Sequence, residues 1–309
     1  MGALPERWLV AGGSGFLGAQ VVLAARAAGA VVVCAARRPG LPAALVARDG
    51  GAVSVEVDSV DLELAGAASE LIERVQPDRV LSCAALARGA DCEREPRRAE
   101  RLNVEVAAEL ARACADRGAR FVHVSTDLVF DGEPPRSGGY REGDPARPLS
   151  IYGRTKIEGE ERVLAAYPGA LIVRLPLLYG PSGGRGLGAT DALLAAVARG
   201  DTPTLFTDEV RTPLDVREAA IALVELCGRD VAGRLHVAGP RALTRHELGR
   251  LALLAAGHGA REIARLVRPA SRADFDLTPP RPRDVSLDTG RARALLEAPL
   301  SPPERLLRR

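Results

Sequence analysis

The chain has 309 residues, enough for one large domain or two modest ones with an ample core. Its formal net charge is +2, with acids and bases interleaved, and 3% of its residues are aromatic. That balance argues against a nucleic-acid footprint or an anionic-membrane surface. No apolar run reaches the length of a membrane span, and no basic leader with an apolar core precedes the first strand, so neither a span nor a secretory signal is expected. Five cysteines (Cys34, Cys83, Cys92, Cys114, Cys227) form no CxxC pair and lie at no ligand spacing from histidine. They point to a reducing compartment, the cytoplasm.

Taken in order, the apolar runs "RWLVAG", "AVVVCAA", "AVSVEV", "DRVLSCAA", "ARFVHVS" and "ALIVRLP" predict strands. Their continuous hydrophobicity suits burial on both faces, as in a parallel sheet. Amphipathic stretches such as "LGAQVVLAARAAGA" and "EVAAELARACADRGA" lie between them, and Gly29, Pro77 and Gly118 mark their ends. Repeated β-α units predict an α/β fold, a doubly wound parallel sheet of Rossmann type over residues 1–175. After residue 176 the pattern loosens into a Gly-rich loop, a helix to about Gly200 and a turn-rich piece. The helix "DVREAAIALVELC" and strand "GRLHVAG" are expected to return residues 212–239 to the main sheet. Thr244 and Glu247 open a further helix with capping-box spacing. Residues 176–309 are expected to form mainly a smaller, substrate-binding lobe.

"VAGGSGFLGAQ" sets Gly12, Gly15 and Gly18 directly after the first strand and at the opening of a helix. Such glycines let backbone approach a pyrophosphate held at a helix N-terminus; the alternative is a tight turn kept for packing alone. The second strand of a NAD-binding unit ends near an acid for the ribose 2′-OH. Here Arg37 and Arg38 follow it, with no Asp or Glu from Ala19 to Arg48. Two guanidiniums suit a 2′-phosphate, which predicts NADP(H), against the reading of two solvated arginines in an Arg-rich chain. Asp58, ending the third strand, either bonds the adenine or caps the next helix.

Of 42 basic residues one is lysine, Lys156, four positions after Tyr152. Ser150 and Pro148 mark the start of a helix there, so both side chains share a face. A cation about 4 Å from a phenolate, at an effective dielectric near 20, is worth up to about 4 kcal/mol, on the order of three pKa units. The expectation is a Tyr152 made acidic by Lys156. Ser125 and Thr126, in "HVSTDLVFDG", lie where the fifth strand ends and can hydrogen-bond a substrate carbonyl oxygen. The four histidines are scattered, without a metal-ligand pattern, and His123, inside a strand, reads as a satisfied core residue.

Gly12-Gly15-Gly18, "VLSCAA", "STDLVFDG" and "YGRTK", in this order, resemble the extended short-chain dehydrogenase/reductases. "STDLVFDG…YREGDPARPLSIYGRTKIEGE", "RLPLLYG" and "RPRDVSLDT" are more narrowly similar to the dTDP-4-dehydrorhamnose reductase branch. That branch also includes the regulatory beta subunit of methionine adenosyltransferase. The resemblance implies Thr126, Tyr152 and Lys156 as a catalytic triad, with Tyr152 protonating a carbonyl oxygen as hydride arrives from the cofactor. It extends cofactor contacts to Ser14, Phe16, Leu17, Ser59, Cys83, Ala84, Ala85, Asn103, Ser125, Tyr152, Lys156, Leu175 and Pro176, with Lys156 holding the nicotinamide ribose. For a substrate it implies a nucleotide-linked 4-keto sugar near Ser125, Thr126, Asp127, Val129, Phe130 and Leu177. Arg185, Arg211 and Arg283 are candidates for its diphosphate. The chain departs from the rhamnose enzymes at Leu128 and Leu177, where they carry aromatics, and at "DEVRTPLDV", where they carry "DQxGxPT". The leading expectation is an NADPH-dependent ketoreductase, acting by family habit as a homodimer. The alternatives are a non-catalytic NADP-binding regulatory subunit and an epimerase with tightly held NAD, which Arg37 and Arg38 argue against.

Overall fold

In a computed structural model, described for residues 6–37, 55–133 and 138–306, seven parallel strands form the central sheet. Six come in chain order: β1 (Arg7–Ala11), β2 (Val31–Ala36), β3 (Glu56–Ser59), β4 (Arg79–Ser82), β5 (Arg120–Thr126) and β6 (Leu171–Leu175). The spatial order is Gly233–His236, β6, β5, β4, β1, β2, β3. The continuous apolar runs have a direct cause. In β1, Trp8 and Val10 face one helical layer while Leu9 and Ala11 face the other. The first layer holds the helices Phe16–Ala27 and Val216–Cys227, and the second holds Ala67–Val75 and Val106–Arg117. The edge strand β3 is the exception: Glu56 and Val57 are exposed, so its apolar signal is weak.

Strand Gly233–His236 pairs with β6, Leu235 beside Val173, which carries the C-terminal half back onto the first. A separate small core gathers Leu193, Leu205, Leu253, Ile263 and Val267 from the C-terminal part of the chain. Its helix Arg245–Ala255 starts on the Thr244–Glu247 capping box, closed by bonds of 2.7 and 3.0 Å. Strand β1 pairs with both β2 and β4, so the chain reverses winding direction above their C-terminal ends. Ligands of open α/β sheets bind at such a point. Among the described residues no helix is long and apolar enough to cross a membrane.

Candidate active site

A cleft of about 1090 Å³ opens above this switch point. Gly12, Ser14 and Gly15 form one wall, Ala35 to Arg37 and Val60 to Glu63 one end, and Cys83 to Ala85, Arg88 and Arg185 the other side. The helix behind the glycine turn carries no side-chain cap and no acid in its first turn, so its N–H groups face the cleft uncompensated. Gly18 lets that helix close on the turn: a Cβ there would lie 2.2 Å from the Gly12 carbonyl oxygen. Gly18→Ala is therefore expected to cost about 1–3 kcal/mol and to weaken dinucleotide binding sharply, measured by thermal melting and by cofactor titration.

Several assigned residues sit elsewhere. Arg37 lines the cleft, bonded to Glu63 at 3.1 Å, and Arg98 holds the same carboxylate at 2.8 Å. Arg38 lies outside the described residues. Asp58 does not line the cleft; it faces the helix Ala67–Val75, where Arg74 pairs with it at 2.9 Å. Ser59 is also absent from the lining, whereas Asp61, three residues past Asp58, lines the cleft. Asn103 is buried and fully used: it accepts from Leu86 N at 2.8 Å and donates to Leu86 O and to Thr155 Oγ1. It braces the loop after β4 against the helix Ile151–Ala166 and does not reach the cleft. Ser125 is likewise committed, donating to Glu160 at 2.6 Å. Leu17 packs into the core, Phe16 lies against Gly188, and Leu175 and Pro176 are buried at the end of β6. Arg185, assigned to substrate, instead lies over the glycine turn, donating to Ser14 O at 2.7 Å.

The helix Ile151–Ala166 starts at Ser150, whose hydroxyl accepts from Gly153 N at 3.1 Å. Gly159 lets it press on the Asn103 backbone, where a Cβ would lie 2.2 Å from a carbonyl oxygen. Tyr152, Lys156 and Glu160, four apart, form one ridge against β5. Tyr152 lines a second cavity of about 370 Å³; Arg88 lines the first cavity and Gly89 and Ala90 the second. Thr126 Oγ1 accepts from Leu128 N and donates to Asp127, each at 3.2 Å, and lies close to Tyr152.

The expected acidic phenol is not found. Burial pushes Tyr152 up to about 12, the nearby Thr126 hydroxyl opposes it, and Asp127 and Cys92 add to the rise. Lys156 is not among the groups acting most on it. The amine has turned to β5 instead: Nζ donates to Val124 O at 2.7 Å and meets His123 Nε2 at 3.0 Å. Burial lowers Lys156 itself to about 8, against the charge of Glu160.

The second cavity has apolar walls from Leu128, Phe130 and Leu177, whereas Val129 points into a separate apolar cluster with Tyr140. Its floor is ionic. Asp127 and Arg211, both buried, form a two-pronged pair. Burial raises the Asp127 carboxyl and Arg211 opposes it. Glu209 lies 3.7 Å from Arg211 and 3.0 Å from Arg281. Arg245 and Arg281 also face the cavity, while Arg283 does not. Among 41 arginines neither carries a sequence signal; only the packing of the lobes singles them out.

Residues 6–307 match the RmlD substrate binding domain family. A probable low-salt glycan biosynthesis reductase, Agl14, of Haloferax volcanii is 37% identical over 235 residues, 75% of each chain. A dTDP-4-dehydrorhamnose reductase of Mycobacterium tuberculosis is 36% identical, over 70% of this chain and 69% of its own. The crystal structure of dTDP-4-dehydrorhamnose reductase from Bacillus anthracis in complex with NADP superimposes with a TM-score of 0.80. It is 21% identical and the match covers 100% of this chain and 98% of that one, a likeness of fold. With a match that runs almost end to end, this chain is a member of the RmlD substrate binding domain family.

Proposed function

We propose that the protein reduces a keto group with NADPH, the 4-keto group of a nucleotide-linked deoxysugar, with Tyr152 as proton donor. The observation that carries this reading is Tyr152, which lines the second cavity, with the buried Thr126 close to it at the end of β5. The Mycobacterium and Haloferax relatives, both reductases, support it.

The cleft fits a dinucleotide: an uncapped helix N-terminus for the pyrophosphate, a turn with no room for a Cβ, and small walls at Cys83 to Ala85. Ser14, Gly15 and Cys83 to Ala85 would hold it, with Arg37 toward the 2′-phosphate and Asp61 toward the adenine. The cofactor supplies the hydride. Thr126 aligns the ketone oxygen, and Tyr152 delivers a proton to that oxygen as its charge develops. A phenol raised to about 12 stays protonated at working pH, the form a donor needs. Lys156, cationic below about 8, keeps positive charge behind the reacting centre. Leu128, Phe130 and Leu177 exclude water from the transfer.

Three guanidiniums, Arg211, Arg245 and Arg281, meet two carboxylates, Asp127 and Glu209, which leaves one positive charge in excess. Arg245 makes no ion pair among the described residues, and burial disfavours its charge. An anionic part of the substrate, such as a nucleotide diphosphate, supplies the missing partner. Arg245→Ala is expected to raise KM about 10–100-fold with kcat changed only a few-fold, because a charged hydrogen bond is worth roughly 1.5–3 kcal/mol. The primary test mixes the protein with NADPH and a dTDP-4-keto-6-deoxysugar and follows the nicotinamide absorbance. Tight NADPH binding without turnover on any ketone would retire the reductase reading in favour of a regulatory subunit.

A further inference from the structure

A buried ammonium must place its N–H groups on acceptors, because unmade bonds of a charged group are costly in a site without water. Lys156 has two fixed acceptors, the Val124 carbonyl and His123 Nε2, both on β5. Nε2 accepts only when bare, so the ring proton sits on Nδ1, which faces Ser82 Oγ at 3.2 Å at the end of β4. Ser82, His123 and Lys156 thus form a buried line from β4 through β5 to the helix that carries Tyr152. The imidazolium form is disfavoured there by burial and by the lysine charge.

Other groups facing Lys156 are Glu160 on its own helix and Cys83 from the loop after β4. Glu160 is occupied by Arg174, Arg234 and Ser125, and burial pushes the Cys83 thiol up to about 12, so it stays neutral. We propose that His123 is a positioning residue for Lys156, accepting from Nζ in a single tautomer and fixing where the third N–H points. Its catalytic consequence rests on the reductase reading; the contact itself does not.

The chain's single lysine makes the test direct. With 13Cε-labelled lysine the protein gives one Cε resonance, whose pH titration reports Lys156 alone. The wild-type midpoint is expected near 8. His123→Phe removes the acceptor and should lower the midpoint by at least one unit, about tenfold in proton affinity. His123→Gln, which offers an amide oxygen near the Nε2 position, should restore most of it. An unchanged midpoint in a folded His123→Phe protein overturns the proposal. Should that variant not fold, 15N shifts of the wild-type histidines decide: a bare Nε2 with protonated Nδ1 at His123 supports it, and the opposite tautomer overturns it. Neither measurement needs a ketone or a cofactor, so failure here is separate from failure of the reductase reading. If both readings hold, the alkaline limb of kcat/KM moves down with the lysine midpoint in His123→Phe.

Discussion

Replacing Tyr152 by Phe is expected to lower kcat by about 10²–10⁴-fold while leaving NADPH affinity within a few-fold of wild type. The ring survives the substitution, so the helix keeps its packing and only the hydroxyl is lost. That hydroxyl lies close to Thr126 and feels the charges of Asp127 and Arg211. Its raised pKa gives the prediction a second arm. A donor that stays protonated to about 12 imposes no alkaline limb between pH 7 and 10, so any limb there belongs to Lys156, whose pKa is about 8. A stopped-flow or steady-state pH profile of wild type checks this. A Tyr152→Phe enzyme retaining more than a tenth of wild-type kcat would assign proton delivery to another group.

Replacing Glu160 by Gln is expected to destabilise the fold by about 3–5 kcal/mol, or lower Tm by roughly 5–8 °C. Glu160 is fully buried and meets Arg174 through two bonds of 2.8 and 2.7 Å, Arg234 at 2.8 Å and Ser125 at 2.6 Å. Gln leaves the Arg174 guanidinium, itself buried between Glu160 and the Phe130 ring, without a counter-charge. Burial alone would raise the Glu160 carboxyl, but these partners outweigh it and hold the pKa below the ordinary 4.5. A depressed folded pKa means the contribution is complete above pH 4.5 and fades as pH falls through the folded value. Wild type should therefore lose stability on acidification below pH 4.5 more steeply than Glu160→Gln, as denaturant melts across that range would record. Parallel acid limbs for the two proteins would assign the acid sensitivity elsewhere.

The doubly wound sheet is legible in the sequence because double-sided burial writes unbroken apolar runs, and β1, β5 and β6 each carry one. The glycine turn is legible for a similar reason, since close backbone approach leaves few residue choices at Gly18. Helical spacing also puts Tyr152 and Lys156 on one face. It does not say where four methylenes carry the amine, and Nζ ends on Val124 O and His123 rather than beside the phenol. Partnerships across long sequence separation are invisible in the same way. Asn103 meets Thr155 across 52 positions and Ser125 meets Glu160 across 35, partnerships that helical or strand spacing does not show. For Asp58 the sequence shows a place at the end of β3 but not a direction: its side chain faces Arg74, while Asp61, beyond the strand, lines the cleft.

The sealed lysine has a consequence outside catalysis. Acylating or reductively alkylating reagents find a single side-chain amine in this protein, and it is 1% exposed. Its modification must wait for the helix Ile151–Ala166 to lift from β5 or for the chain to open entirely. The rate at which Lys156, resolved from the α-amine by peptide mapping, takes up its label then reads the opening frequency of that interface, a clock wired into the protein by its own composition.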